Sequence, residues 1–516
     1  MTSDVKDLVQ YIPAALFNPS QGGAGVYIKY HALRNSAPKL LRYTPEYSHI
    51  DTPDRELLVV SHSNRVDNVR PLNEGFDEFV SLSPLHLTAR DSGMQWGMMN
   101  YLQNLNPKYN HHFMDAYKDI PNRVKIISDS GGFQLSRGSI SFINPEKLAT
   151  WYSTTCDIGM ALDVPLGREG SSKFLKESGR IQKKNNEKML ETFAKLNSKT
   201  KLMNVLHGLS EEEHEVYHKI VFEPTVDKLA IGGVYHSSLV TSTKLLYNMM
   251  FESDIGKHYN HIHILGVFNN KILPIYYWIF KLANERRKTP ILMTSDSSTA
   301  IQQAVAKAYF ACNDYDQPYQ FQKLGITNQT GHLASRRLTS PHRTLNCGCP
   351  VCSAIKYTDI FTFFSGQAIN SIMTYHNNYQ MSKYTNYMNE MLQKLDFVQY
   401  RDLVARQIGK RAARDTLDAL DYVNHAHKNG LKSANSRFNH YFRNLFSFTK
   451  DSFEEEKTRI KRDAFLETVL KKYHTYHKTG ESPETVKIIL ENKVGNLAQK
   501  SSSSNVKGKI RVKKRS

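Results

Sequence analysis

Short apolar, β-branched runs recur along most of the chain, and the spaces between them limit how it can fold more than any other feature. The runs are Leu57–Val60, Phe79–Leu82, Val124–Ile127, Ile158–Leu162, Leu202–Leu206, Leu229–Ile231, Ile262–Leu265 and Ile291–Met293. Most intervals are long enough for a helix, among them Pro145–Cys156, Ser172–Leu196, Ser210–Val221 and Lys244–Phe251. Strands that alternate with helices build parallel βαβ units. Eight runs suit an α/β fold of the (β/α)8 TIM-barrel type, and the count alone also suits an open sheet.

The residues that follow the runs carry the chemistry. Asp129, Asp163, His207-Gly208, Gly232-Gly233, Gly266 and Asp296 come just after the third to eighth runs, in that order. In a barrel these positions ring the C-terminal mouth, where barrel enzymes hold their active sites. A chance scatter of acids would not fall so regularly at strand ends. At the centre stands Ile126-Ile127-Ser128-Asp129-Ser130-Gly131-Gly132-Phe133-Gln134. It delivers an acid into a turn whose glycines permit positive φ and close backbone approach to a ligand. An acid at the end of a buried strand is costly unless it is paired or used; capping the turn is the plainer of the two uses.

At 516 residues the chain exceeds the roughly 250–300 at which single cores stop growing. It has no run of 18 apolar residues to cross a membrane, and Met1–Asp7 lacks the basic-then-apolar pattern of a secretory signal. Five cysteines, three of them bunched, suit a reducing compartment and a metal site better than a disulfide framework. A soluble, cytoplasmic protein is the expectation. The net charge of +19 is large for a metabolic enzyme and points to a polyanionic partner, nucleic acid being the commonest inside cells.

After the eighth run comes Cys347-Gly348-Cys349-Pro350-Val351-Cys352, which offers three thiolates from one tight loop, as a tetrahedral zinc site requires. The fourth ligand expected is His376, 24 residues beyond Cys352 on a long helix read over Asp359–Leu392; His342 is the other candidate. Four protein ligands leave no open position, so the zinc would be structural. Cys156 and Cys312 read as small core residues. From Gln393 the chain turns helical and basic, with Arg401, Arg406, Lys410, Arg411 and Arg414 crowding one predicted helix. Arg437-Phe438-Asn439-His440-Tyr441-Phe442-Arg443 mixes cations with aromatics, which suits either nucleic-acid contact or a solvated amphipathic face. The expected organisation is an irregular cap over 1–50, a barrel over 51–392 with a zinc subdomain near 340–380, a basic helical extension over 393–500, and a disordered basic tail over 501–516.

Asp129-Ser130-Gly131-Gly132-Phe133-Gln134, the strand rhythm, Ile231-Gly232-Gly233 and the three-cysteine loop followed by His376 together resemble the tRNA-guanine transglycosylase superfamily, over roughly Arg55–Leu392. That resemblance implies a zinc-containing (β/α)8 barrel that exchanges guanine in nucleic acid for a 7-deazaguanine. It implies Asp296 as nucleophile on the sugar C1′ and Asp129 as general acid and base. It implies Asp163 as reader of the guanine donor edge, Phe133 as a stacking ring, and Ser130, Gln134, Gly232 and Gly233 as pocket lining. Two departures matter. The Pro-Thr-Arg block usual after the nucleophile of tRNA-acting members is replaced by Ser297-Ser298-Thr299-Ala300, and the usual Gln-Gly-Gly after the fifth strand by His207-Gly208-Leu209. His207 thereby joins the residues expected to contact the base. The pattern resembles the DNA-acting branch of phages and bacteria, which puts a preQ0-type base into DNA; for a phage the setting would be the host cytoplasm. A tRNA substrate, a catalytically silent partner subunit and a zinc-containing nucleic-acid-binding protein are the alternatives. A homodimer or a partner protein is compatible with each.

Overall fold

Apolar runs flanked on both sides by helices become strands buried on both faces, and such strands pair in parallel. The structure is a computed structural model that describes residues 9–13, 79–82, 125–132, 135, 142–164, 172–233, 238–297, 299–306, 308–311, 320–323, 366–409, 412–437 and 456–483. The strands of its main sheet are β1 (Val9–Pro13), β2 (Phe79–Leu82), β3 (Lys125–Ser128), β4 (Ile158–Met160), β5 (Lys201–Leu206), β6 (Lys228–Ile231), β7 (His261–Ile264) and β8 (Leu292–Ser297). Between β3 and β8 run α1 (Pro145–Thr155), α2 (Ser172–Lys195), α3 (Glu211–Val221), α4 (Leu239–Phe251), the short α5 (Ile255–His258) and α6 (Leu273–Glu285).

All eight strands form one parallel sheet in the order β1-β8-β7-β6-β5-β4-β3-β2. The two strands at the ends of that order, β1 and β2, approach to within 8 Å between Cα atoms. Register holds the strand ends level: His263 lies opposite Thr294, Ile231 opposite Ile264, and Leu206 opposite Ile231. Strand ends that are level in this way bring the residues following β3 to β7, and those closing β8, to one edge of the sheet.

The N-terminal stretch differs from expectation. Val9–Pro13 was expected to belong to an irregular cap, yet it is a strand beside β8, with Ile12 opposite Asp296. Val9 is buried in the core. The run is short and ends in proline, so its pattern does not stand out from a loop, and pairing with β8 decides its conformation. The first expected run, Leu57–Val60, lies outside the described residues.

Helix ends follow local chemistry. Asn144 caps α1, its side chain accepting from the N–H groups of Glu146 (2.9 Å) and Lys147 (3.0 Å), and Pro145 opens the first turn. Ser210 caps α3 ahead of three glutamates, with His218 and Lys219 in the last turn, so charge complements the helix dipole at both ends.

After β8 come α7 (Thr299–Val305), the antiparallel pair β9 (Ala308–Ala311) and β10 (Gln320–Lys323), α8 (Gly366–Lys394), α9 (Phe397–Ile408), α10 (Arg414–Asn429), α11 (Leu431–Ser436) and α12 (Glu456–Thr479). The basic helix expected around Arg401–Arg414 is thus two helices, broken where Gly409 takes φ 85°. Arg401 pairs with Asp421, which accepts from its Nε at 2.8 Å and its Nη2 at 2.9 Å. Lys410, Arg411, the segment from Phe438 to Arg443, and the tail 501–516 lie outside the described residues.

These C-terminal helices share the core of the sheet. Helix α6 buries side chains all round, including Tyr276, Tyr277, Trp278 and Phe280. A helix apolar on every side has to be covered on every side. The Tyr400 hydroxyl on α9 donates to the Pro274 carbonyl (2.9 Å), and Thr416 on α10 donates to the Lys271 carbonyl (3.0 Å). On α12, Leu466, Val469, Leu470 and Tyr473 belong to the same buried cluster as β3 to β8. The Tyr473 hydroxyl accepts from the Ile143 N–H (3.2 Å) and donates to the Ile143 carbonyl (3.1 Å), closing the chain just before α1. Tyr473→Phe strands both buried backbone groups and is expected to cost about 1–3 kcal/mol per group left unpaired. Denaturant unfolding of the full chain checks this; an unchanged midpoint would mean that α12 is not part of the cooperative core.

Candidate active site

Two carboxylate-centred groups sit along the C-terminal edge of the sheet. The first forms where β3, β4, β5 and β6 end. Ser128 closes β3, and the Asp129 carboxylate accepts from the following N–H, that of Ser130, at 2.7 Å. The chain then turns at Gly131 (φ 83°) into Gly132. Ser130 points its hydroxyl at Asp163 beyond β4, donating to Oδ1 at 2.8 Å, while its oxygen accepts from the Gly132 N–H at 3.1 Å. His207, just past β5, reaches the other oxygen: Nε2 lies 2.7 Å from Asp163 Oδ2. A carboxylate only accepts, so the proton of that bond belongs to Nε2. Asp163 is 5% exposed, and each of its oxygens holds a donor. A buried carboxylate is tolerated on such terms.

Glycine makes the close packing possible at two points. A Cβ on Gly132 would stand 2.3 Å from Asp163 Oδ1, so only glycine lets the turn lie against the carboxylate. A Cβ on Gly232 would stand 2.9 Å from Cε1 of His207, so the backbone after β6 forms the other wall of the imidazole. Gly233 follows with φ 83°.

The second group lies on β7 and β8. Asp296 is in the strand itself, 4% exposed, and Oδ1 accepts from the Gly266 N–H at 2.7 Å. His263 Nε2 is 3.3 Å from the same oxygen. On the other side of the ring, His263 Nδ1 is 2.8 Å from the Thr294 hydroxyl, and His261 Nε2 is 2.8 Å from that hydroxyl as well. Burial, helped by His263 and Lys228, holds the His261 imidazole well below its ordinary range.

The sequence-derived residues therefore divide as follows. Asp129, Ser130, Asp163, His207, Gly232 and Gly233 lie together along the ends of β3 to β6, and Asp296 lies at the end of β8. Phe133, Gln134, His342, Cys312 and the three zinc-loop cysteines Cys347, Cys349 and Cys352 are outside the described residues. His376 is on α8, 1% exposed, its Nε2 donating to the Phe310 carbonyl at 2.9 Å. Its neighbour Asn377 accepts from the Phe310 N–H and donates to the Ala300 and Ala308 carbonyls, tying α8 to α7 and β9. Cys156 is half-buried at the C-cap of α1 and packs against the core. Sequence reading passed over His261, His263 and Thr294. The signal was there: histidines two apart on a strand share one face.

Three carboxylates lie at the mouth of the parallel strands, Asp163 and Asp296 buried and held by donors and Asp129 half-buried. No protein-family model matches the sequence, and comparison with curated proteins gives no match.

Behind the first group, the His214 ring bonds through Nε2 to the Gly208 carbonyl at 3.1 Å. Burial, opposed by that bond, lowers its pKa from 6.5 to about 4. Folded His214 therefore stays neutral where the unfolded chain binds a proton, and stability is lost as pH falls from 6.5 toward 4. The loss attributable to this one histidine is about 3 kcal/mol at the acid end. His214→Gln keeps a donor that does not titrate, and unfolding free energies measured across that range are expected to fall less steeply than in the wild type. An equal slope would show that His214 does not carry the effect.

Proposed function

We propose that this protein is a base-exchange transglycosylase that replaces guanine in DNA with a 7-deazaguanine of the preQ0 type. The observation that carries the reading is the placement of Asp129, Asp163 and Asp296 at the ends of β3, β4 and β8, each with a distinct environment. In this reading the eight parallel strands close as a (β/α)8 barrel, with β1 beside β2.

Asp296 attacks the sugar C1′ as the bond to guanine N9 breaks, giving a glycosyl-aspartate. Asp129, the half-buried acid, protonates the departing base. The incoming deazaguanine gives its proton to Asp129, its N9 attacks C1′, and Asp296 is released as carboxylate. Two displacements retain the anomeric configuration and require one nucleophilic and one acid–base carboxylate. Asp163 accepts from the N–H groups of the guanine edge through lone pairs beyond those held by Ser130 and His207; a carboxylate has about four such sites. Phe133 stacks on the base, with Gln134, Gly232 and Gly233 beside it. The target nucleotide leaves its stack to enter.

The residues fit a structural zinc. Cys347, Cys349 and Cys352 supply thiolates, and His376 donates Nε2–H to a backbone carbonyl, the outer contact that fixes a ligating imidazole with its lone pair on Nδ1. The metal supplies crosslinking of the loop to α8 and no reaction step. Chelation at raised temperature is expected to lower the unfolding midpoint of the full chain, with zinc restoring it; indifference to chelator would remove zinc from the reading.

DNA is favoured over tRNA by the chain that follows the nucleophile. Ser297 and Thr299 bond to each other at the start of α7, the Thr299 N–H donating to Ser297 Oγ at 3.0 Å, where tRNA-acting members carry a Pro-Thr-Arg block. Labelled guanine offered with duplex DNA and, separately, bulk tRNA tests the reading. Label is expected in DNA alone, with incorporation lost in Asp296→Ala. Label in tRNA alone would reverse the substrate, and label retained by Asp296→Ala would overturn the mechanism.

A further inference from the structure

We propose that His263 is a positioning residue for Asp296: it donates Nε2–H to the carboxylate, and Thr294 with His261 holds its ring in the tautomer that can do so. The inference rests on Asp296 being the nucleophile. Its geometry stands independently of that.

The Thr294 hydroxyl has one proton and two histidine nitrogens at 2.8 Å, Nε2 of His261 and Nδ1 of His263. It can donate to only one, so the other must donate to it. With both rings neutral, two polarities exist. In the first, His261 Nε2–H donates to Thr294, Thr294 donates to His263 Nδ1, and His263 Nε2–H faces Asp296 Oδ1 across 3.3 Å. In the second every bond is reversed, and His263 turns a lone pair toward the carboxylate. Two acceptors face to face repel, and His263 is 0% exposed beside an Asp296 that is 4% exposed, so water does not relieve them. An ionised Asp296 therefore selects the first polarity.

Burial keeps the His261 ring neutral, so it brings a single ring proton to the relay. Strand register fixes the parts. His261 and His263 share one face of β7, Thr294 and Asp296 share one face of β8, and His263 is directly opposite Thr294. The Gly266 N–H adds a second donor to the same oxygen, Oδ1.

Nε2 lies 3.3 Å from Oδ1 but outside hydrogen-bond geometry, with no hydrogen-bond partner among the described residues, so the donation belongs to the reacting complex. Such bonds tighten when the reacting complex forms. Donors on Oδ1 fix the plane of the carboxylate for attack. They also stabilise the free carboxylate more than its glycosyl ester, which favours release of Asp296 in the second displacement.

The test uses the full chain in the labelled-guanine exchange assay, with His263→Leu, His263→Gln, Thr294→Val and Thr294→Ser. His263→Leu is expected to lower kcat on the order of 10²-fold, with KM for guanine within about twofold, a change in kcat alone. Glutamine restores a donor near the Nε2 position and is expected to recover most of the rate. Thr294→Val keeps the side-chain shape but leaves two buried imidazole nitrogens unpaired, so its folding is verified by circular dichroism; it is expected to lower kcat in the same manner, with Thr294→Ser recovering it. Unchanged kcat in folded Thr294→Val and His263→Leu overturns the proposal while leaving the exchange reading intact. A rise in KM at constant kcat overturns it too, since that would be base binding. If the wild type exchanges nothing, nitrogen-15 NMR of histidine-labelled chain, assigned with His263→Gln, decides the geometry. A neutral Nε2–H tautomer at His263 that responds to Asp296→Asn supports the contact, and an Nδ1–H tautomer overturns it.

Discussion

A carboxylate beneath the mouth of a parallel sheet must be surrounded by donors, and much of the local structure here answers that requirement. Asp163 receives a hydroxyl on one oxygen and an imidazole on the other. Asp296 receives a backbone N–H where β7 ends. Neither arrangement comes from a single element. Ser130 is supplied by the turn after β3 and His207 by the end of β5, so the charge on Asp163 can be held only if three strands stay in register. The positions of these charges are thus a property of the sheet, and rigid elements hold such geometry better than loops.

The sheet in turn depends on what covers it. Helix α2 shows how closely the layers are tied: Gln182 donates to the side chain of Asn204 and to the Val205 carbonyl, and Asn186 donates to the same Asn204. Asn185 donates to the Leu162 carbonyl next to Asp163 and accepts from His477 of α12. A polar path therefore runs from the C-terminal helix through α2 to the residue before the clamped carboxylate. Buried polar groups paired in this way fix one arrangement of the layers, although Asn186 Oδ1 has no hydrogen-bond partner among the described residues. The C-terminal helices belong to that arrangement, which explains why α6, apolar on every side, is not exposed.

The strand rhythm and the acids were legible because they are periodic: an apolar run, then a polar residue at its end. From β2 to β8 the runs correspond to strands of the sheet, and the helix intervals from α1 to α3 agree closely, whereas α4 begins at Leu239, ahead of the expected Lys244. What escaped was set by partners distant in sequence. β1 (Val-Gln-Tyr-Ile-Pro) is interrupted by Gln10 and ends in proline, so it does not declare itself as an apolar run, and it pairs beside β8. Gly409 breaks what composition read as one basic helix, and Arg401 is neutralised by Asp421, twenty residues along the chain. Charge counting sees cations and not their pairing. His261 and His263 look like ordinary strand residues until Thr294 is placed across from them.

The imidazole at the end of β5 depends on several neighbours. The His207 ring needs room, and it has that room because the residue alongside after β6 is Gly232, where any side chain would press on Cε1. A larger residue there would push the ring off Asp163 Oδ2 and leave a buried charge with one donor fewer, which is far more costly than the loss of a surface hydrogen bond. Tyr217 then braces the ring edge-on at 5.5 Å between ring centroids, and its own hydroxyl is held by Gln182 at 2.7 Å. The histidine is consequently locked from three sides before any ligand arrives. In the proposed exchange an incoming base would meet an imidazole whose Nε2 proton is already committed to Asp163 and would contact the ring through its remaining edge, so His207, Gly232 and Asp163 would set selectivity at this wall jointly.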